Sequence, residues 1–219
     1  MRYRVRADRS FEVSGGSTDY CDARGLCSAL DLSSAVGLRK ERHRLHRTLK
    51  VVRMSSRFKS AEETRAEYLA AMGLDLGPVF HALWNECAWL HLKWREYREL
   101  FGGSSERVDL LNSAAGLSFR IIQDSLWEDI LLHLCRLTDP PSIGKKENLT
   151  VLRLPGMVDA AIRAEVEGAV ESLEQRTAFA RDWRNRHIAH SDLMLALDES
   201  LTPLAPASRA KVAEALSGR

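Results

Sequence analysis

Apolar and polar residues recur along most of the chain at the three- and four-residue steps of amphipathic α-helices. The clearest run opens at Gly77-Pro78, where proline suits a first helical turn, and continues until Gly102-Gly103. Its apolar stripe comprises Phe80, Leu83, Trp84, Cys87, Leu90, His91, Trp94, Tyr97 and Phe101. Trp89 and Leu92 lie off this stripe, so the pattern predicts a helix that is buried on more than one side.

A short helix is predicted before this one and a longer helix after it. The short helix begins at the capping box Ser60-Ala61-Glu62-Glu63 and stops at Gly73. The longer helix covers 106–137, bends at Gly116 and is terminated by Asp139-Pro140-Pro141. Its stripe comprises Val108, Leu111, Ala115, Phe119, Ile122, Leu126, Ile130, His133 and Leu137.

A fourth helix is predicted over 158–183, after a loop at 141–156 that contains glycine and proline. A small terminal helix follows at 208–216. The chain shows no internal repeat. The expected fold is therefore all-α, an up-and-down helical bundle of four main helices plus short terminal helices.

Composition favours a soluble, cytoplasmic protein with one globular unit. The chain has 219 residues, of which 45% are hydrophobic, enough for a substantial core. Its four cysteines form no Cys-x-x-Cys pair, which argues against a disulfide scaffold or a zinc ribbon. No apolar run reaches the roughly 18 residues of a membrane span, and no secretory apolar core follows the N-terminus.

The formal net charge of +2 is unevenly distributed. Residues 1–60 carry 14 Lys and Arg against 6 Asp and Glu, whereas 61–219 carry 18 against 24. We therefore predict a basic, poorly ordered extension over 1–57 and a helical domain over 58–219. The basic amphipathic stretch 38–53 is open to three interpretations: a segment that binds RNA or an acidic partner, a solvated charge run, or upstream sequence joined to the domain by an early start-site assignment, with Met54 as the true initiator.

Candidate chemistry is concentrated in one segment, Arg181 to Asp192, which reads Arg-Asp-Trp-Arg-Asn-Arg-His-Ile-Ala-His-Ser-Asp. Arginine forks bind phosphate oxygens in bidentate fashion, and histidine exchanges protons near neutral pH. Because the rest of the domain is mildly acidic, this is the dense basic cluster through which it would contact RNA. The segment indicates phosphodiester chemistry.

The spacing of Arg184, the polar Asn185 and His190 resembles the arginine, polar residue and histidine pattern of HEPN domains. Further runs resemble the AbiU-like, abortive-infection branch of those families: Gly77 to Phe80, Trp94 to Phe101, Leu110 to Asn112, Cys135 to Pro140 and Asn148 to Thr150. The resemblance covers roughly 60–193. It implies an all-helical fold, dimerisation, and metal-independent RNA cleavage in bacterial defence or stress.

The resemblance also implies roles for these residues. His190 would transfer protons, Arg184 would stabilise charge on the scissile phosphate, and Asn185 would orient one of them or the substrate. Four neighbours are candidate substrate contacts: Arg181, Arg186, His187 and Asp192.

Two of these candidates have alternative interpretations. Arg181, Asp182 and His187 repeat the spacing of the first triplet, but His187 continues the apolar stripe and is expected to be partly buried and structural. Asp192 either orients His190 or caps the next turn.

Helix geometry limits how Arg184 and His190 can act together. On an unbroken helix, six residues turn about 600°, which leaves the two about 120° apart around the axis and about 9 Å apart along it. Either the helix loosens near Ile188, or the long side chain of Arg184 spans the distance, or a second copy of the chain completes the site across a two-fold axis. The dimeric habit of the family favours the last two.

Cofactor chemistry is not expected. Asp129 with His133, and Asp124 with Glu128, have helical i, i+4 spacing, but the paired Glu-x-x-His motifs of a di-iron bundle are absent. Arg136 near Asp139 is expected to form an ion pair at a helix end.

Two functions remain: an RNA-cleaving toxin or anti-phage effector, with a possible cognate antitoxin, or a non-catalytic HEPN dimer that binds RNA, nucleotide or a partner protein.

Overall fold

A computed structural model describes residues 59–197 and 202–217 of the chain. The predicted all-α fold is confirmed. The α-helices of this part are α1 (Ala61–Phe101), α2 (Ser105–Leu137), α3 (Ala160–Trp183), α4 (Leu193–Ala196) and α5 (Arg209–Ser217). The predicted extension over 1–57, with its basic stretch 38–53, lies outside the described residues.

Helix α1 starts as the sequence predicts. Ser60 Oγ accepts a hydrogen bond from Glu63 N at 3.1 Å, and Glu63 Oε2 accepts one from Ser60 N at 2.8 Å. Both bonds of a capping box are therefore present, and they satisfy backbone N–H groups that the first helical turn leaves without partners.

The predicted stop at Gly73 is a sharp break inside α1, where glycine takes φ +82°. The Tyr68 ring lies 5.1 Å from the Phe80 ring across this break. An unbroken helix would hold residues twelve apart at about 18 Å along its axis, so the chain must bend sharply here. Gly77 permits the bend, because a Cβ at this position would lie 2.8 Å from Tyr68 O.

Helix α2 breaks at Ala115, which takes φ −162° and ψ 64°, one residue before the predicted bend. Beyond the break, α2 packs on α1, and the Trp127 and Tyr97 rings lie 5.5 Å apart. Ile122 was expected in the buried stripe and is instead exposed. That prediction was wrong because the neighbouring Gln123 takes the buried place on the helix.

The predicted loop 141–156 contains regular structure. Strands β1 (Ser142–Ile143) and β2 (Lys146–Glu147) form a small antiparallel hairpin, and a 3₁₀ helix follows at Val151–Gly156. Thr150 Oγ1 donates to Leu137 O at 2.9 Å, which joins this region to the end of α2. The sequence pattern missed these elements because two-residue strands are too short to show a period.

The chain after α4 returns to the bundle through the segment 202–208, here named the tail. Trp183 Nε1 donates to Ala205 O at 2.8 Å, and Val212 and Leu216 of α5 are buried in the core. The predicted terminal helix is therefore confirmed, shifted by one residue. Within the described ranges, no helix is both long enough and apolar enough to cross a membrane.

Candidate active site

The candidate segment begins where α3 widens into a π-helical turn, Arg184–Ile188, here named the π turn. Ala189 N donates to Arg184 O at 2.8 Å, an i to i−5 bond, and Asp192 N donates to Arg186 O at 3.1 Å. Of the three expected arrangements, the loosened helix is therefore present, and His190 follows the π turn directly after Ala189. Such π insertions are frequent at functional sites.

One carboxylate organises the arginines of this segment. Asp139 Oδ1 lies 2.9 Å from Arg181 Nη1 and 2.5 Å from Arg184 Nη1. Asp139 was expected to pair with Arg136, and that prediction was wrong. The backbone of Thr138 leaves the helical conformation at the end of α2, so Asp139 faces α3 while Arg136 stays exposed on α2.

The two arginines differ in how many donors they keep. Arg181 also donates from Nη2 to Thr138 O at 2.6 Å and to Thr138 Oγ1 at 3.1 Å. Its guanidinium donors are therefore taken up by residues at the end of α2. Arg184 also donates from Nε to Asn185 Oδ1 at 3.0 Å. Within the described residues, Arg184 Nη2 has no partner. Arg184 is therefore held in place with N–H groups left for an anion.

Arg186 is directed away from this pair and holds the tail. It donates to Thr202 O at 2.6 Å and to Pro203 O at 3.3 Å, and it lies 3.5 Å from Asp182 Oδ1. Asp182 Oδ2 in turn accepts from Ala205 N at 2.7 Å. These contacts give Arg186 a structural role, and its predicted substrate contact stays a prediction.

His187 is exposed, although the apolar stripe of α3 predicted partial burial. The stripe does reach this position, but the ring lies at its end and is not covered by the described part of the bundle. The His187 ring packs edge-on against Trp183, with centroids 5.5 Å apart and planes at 86°.

The last two candidates lie just beyond the π turn. Asp192 Oδ1 accepts from Leu195 N at 2.9 Å and caps α4, which is one of its two predicted roles. His190 is exposed, and within the described residues no hydrogen bond or ion pair involves its side chain. The imidazole is thus accessible to a substrate.

Comparison with protein families decides the classification. The HEPN AbiU2 family model, described as AbiU2, matches residues 74–217. The chain belongs to the HEPN AbiU2 family. No curated protein and no solved structure matches it significantly. The family match ends at 217, beyond the predicted limit of 193, and so includes the tail and α5 with the site.

Next to the arginines of this AbiU2 domain lies a buried cysteine. Burial raises the pKa of the Cys135 thiol to about 11, and the nearby Arg184 and Arg181 lower it only in part. The thiol is therefore protonated near neutral pH. Because the thiolate is the nucleophilic form, Cys135 contributes packing to the site and not covalent catalysis.

A buried histidine of the AbiU2 domain, His133, lies between α1 and α2. His133 Nδ1 lies 3.3 Å from Lys93 Nζ, and Lys93 pairs with Asp129 at 2.6 Å. His133 Nε2 lies 3.0 Å from Glu86 Oε2 but is not aligned for a hydrogen bond. Burial, aided by Lys93, lowers the pKa of His133 to about 4. The His133 ring is therefore neutral, and the Lys93 ammonium lies between this ring and the Asp129 carboxylate.

Metal ligands were not predicted in this domain. Over 59–197 and 202–217, no three or more His, Cys, Asp or Glu side chains are grouped so that they could hold a metal ion.

Sequence reasoning missed Thr138 and Asp139 as members of the site. Both belong to the run Cys135 to Pro140, which carried part of the family resemblance. A polar pair directly after a buried helix was the available signal, because such positions are well placed to contact a neighbouring helix.

Proposed function

We propose that the chain is a metal-independent endoribonuclease of the HEPN type that acts in phage defence or as a toxin. The observation that carries the proposal is a restrained Arg184, which keeps free donors, at the start of the π turn, and an exposed His190 just beyond its end. A fixed cation for phosphate and an accessible proton carrier are the two groups that RNA cleavage requires.

The proposed reaction is an attack of the ribose 2′-oxygen on the adjacent phosphorus. His190 either takes the proton of the 2′-hydroxyl or gives a proton to the leaving 5′-oxygen as the phosphorus–oxygen bond breaks. Arg184 stabilises the charge that develops on the phosphate oxygens, and Asn185 orients the Arg184 guanidinium. The products are a 2′,3′-cyclic phosphate and a 5′-hydroxyl.

We further propose that two copies of the chain form the working enzyme. Four large apolar side chains of α2 are exposed: Leu110 at 65%, Leu117 at 51%, Ile121 at 58% and Ile122 at 44%. Apolar surface of this kind is unfavourable in water and is typical of an interface. A second copy would also supply a second His190, so that one histidine could act as base and the other as acid.

A non-catalytic function is the second candidate, and one observation favours it. Asp139 neutralises part of the charge of Arg181 and Arg184, which lowers the attraction of the site for phosphate. In that case the HEPN dimer would bind RNA, a nucleotide or a partner protein such as a cognate antitoxin without cutting RNA.

The test is cleavage of single-stranded and structured RNA in EDTA. His190→Ala should lower the rate on the order of a hundredfold, the loss of a general acid or base. The controls are His81→Ala and Arg95→Gln, which remove a histidine and an arginine of α1 outside the site. Both should cleave as the unchanged chain does.

Equal rates for the unchanged chain and His190→Ala on several RNAs would reject the enzymatic proposal. Binding of RNA without cleavage would then support the second candidate.

A further inference from the structure

A pocket of about 420 Å³ lies beside the π turn. Its lining includes Trp127 of α2, Trp183 of α3 and His187 of the π turn. The volume falls in the range of about 300–1,000 Å³ that small-molecule sites occupy. The pocket therefore adjoins the candidate active site and has room for a small ligand.

The aromatic rings of the pocket are held in place by the fold. Trp183 is fixed by its bond to Ala205 O, and the His187 ring stands at 86° against it. Trp127 lies 5.5 Å from the buried Tyr97 ring. Rigid aromatic surfaces at a pocket wall are suited to stacking a flat ligand, as in proteins that bind single-stranded nucleic acids.

The polar lining carries balanced charge. The lining includes Arg120 and Arg209 together with Asp124 and Glu128, two formal positive charges and two negative ones. Arg120 Nε pairs with Asp124 Oδ2 at 2.6 Å, and within the described residues the Nη groups of Arg120 have no partner. The two carboxylates would repel a phosphate at this place. The lining instead suits an uncharged ring that has both hydrogen-bond donors and acceptors.

We propose that this pocket binds one nucleobase of the RNA substrate, an inference that rests on the proposed function. The base stacks on the indole rings of Trp127 and Trp183. The Arg120 Nη groups donate to its ring nitrogen or carbonyl acceptors, and the carboxylate of Glu128 accepts from its N–H groups. These are the side-chain types that read base edges in known complexes.

The location of His187 connects the pocket to the chemistry. His187 lies within the π turn, three residues after Arg184 and three before His190, and its ring reaches the pocket. A base seated there belongs to the nucleotide at the scissile phosphate or to its neighbour. The pocket thus selects where the RNA is cut, while Arg184 and His190 cut it.

The test is calorimetric titration, in EDTA, of the full chain with the four nucleoside 5′-monophosphates and with ribose 5-phosphate. At least one nucleotide should bind saturably, and ribose 5-phosphate should not, because the base supplies the contacts. His187→Ala and Arg120→Gln should each weaken binding about tenfold. Arg95→Gln, an exposed arginine of α1 outside the pocket, should bind as the unchanged chain does, and circular dichroism should show that all variants are folded.

Two results would overturn the pocket proposal: no binding of any nucleotide at millimolar concentration, or equal binding of ribose 5-phosphate. Neither depends on cleavage. Nucleotide binding without RNA cleavage would reject the proposed endoribonuclease and keep the pocket, whereas cleavage without nucleotide binding would reject the pocket alone.

Discussion

Arg184 Nη1 lies 2.5 Å from Asp139 Oδ1, although the two residues are 45 positions apart in the sequence. The contact joins the end of α2 to the π turn and fixes the guanidinium that we propose to bind phosphate. Stability and activity should therefore respond differently to changes on the two sides of this ion pair.

Replacing Asp139 with Asn should destabilise the fold, because it leaves the Arg181 and Arg184 guanidinium groups adjacent without a counter-charge. We expect a loss of about 1–3 kcal/mol in the free energy of unfolding, measured by urea denaturation. The matched control is Glu96→Gln, which breaks an exposed ion pair with Arg95 and should cost less than about 1 kcal/mol. Equal losses in the two variants would contradict the central role of Asp139.

Replacing the two arginines that pair with Asp139 should have different effects: Arg181 mainly on the free energy of unfolding, and Arg184 mainly on RNA cleavage. Arg181→Met removes bonds to both Thr138 and Asp139, so it should lower the free energy of unfolding by about 1–3 kcal/mol. Arg184→Met should lower RNA cleavage about a hundredfold, with a smaller loss of stability. Measuring unfolding and cleavage on both variants checks this. If Arg184→Met lost more stability and Arg181→Met lost more cleavage, this assignment of the two arginines would be contradicted.

Three glycines provide a graded test of the backbone. Gly73→Ala meets no neighbouring atom but forces alanine to φ +82°, and should cost about 1 kcal/mol. Gly77→Ala places a Cβ 2.8 Å from Tyr68 O and should cost more, because backbone must move. Gly168→Ala lies in open space on α3 and should stabilise by roughly 0.5–1 kcal/mol. Thermal melts of the three variants would check this ranking, and a different order of melting temperatures would contradict it.

Acid should weaken the fold through His133. Its pKa is lowered to about 4 in the folded chain, so the unfolded chain binds the proton more tightly. The stabilisation is fully present above the ordinary pKa of about 6.5 and is lost as the pH falls from there towards 4. We expect a loss on the order of 3 kcal/mol over this interval. Urea titrations of His133→Gln should show a flatter pH dependence, and His81→Ala should keep the slope.

The exposed apolar face of α2 should control assembly. Leu117 and Ile121 lie one helical turn apart, so Leu117→Glu with Ile121→Glu places charge at the centre of the proposed interface. Sedimentation should show a dimer for the unchanged chain and a monomer for this variant. Leu74→Glu, at an 84% exposed position on α1, is the control and should remain dimeric. A monomeric unchanged chain at micromolar concentration would reject the dimer.

Local signals predicted most of the fold. The capping box at Ser60 and the break at Gly73 depend on neighbours within four residues, and the structure has both. The bend of α2 was placed at Gly116 and lies at Ala115. Ile122 deviates from its predicted burial, because helical steps of three and four residues fit the sequence pattern equally well and Gln123 takes the buried place.

The candidate site was predictable only in part. The Arg184, Asn185, His190 triplet is visible in the sequence because its members are close together. The bond from Asp139 to Arg184 leaves no spacing signature, since it forms only after α2 and α3 pack. The exposure of His187 was missed because a helical period assigns a residue to one face of the helix but does not show whether another element covers that face.

The i to i−5 bond of the π turn has a consequence for the length of the chain. It accommodates one residue more than an α-helical turn, so the turn behaves as a single-residue insertion at the end of α3. Deleting one residue between 184 and 188 would therefore restore the regular helix and leave the chain that follows it in the same rotational phase. The histidine, the cap of α4 and the tail would keep their directions, and only the widened turn with its side chains would change. A gap of one residue in this short segment is thus compatible with the rest of the fold, and such gaps are informative when related sequences are aligned.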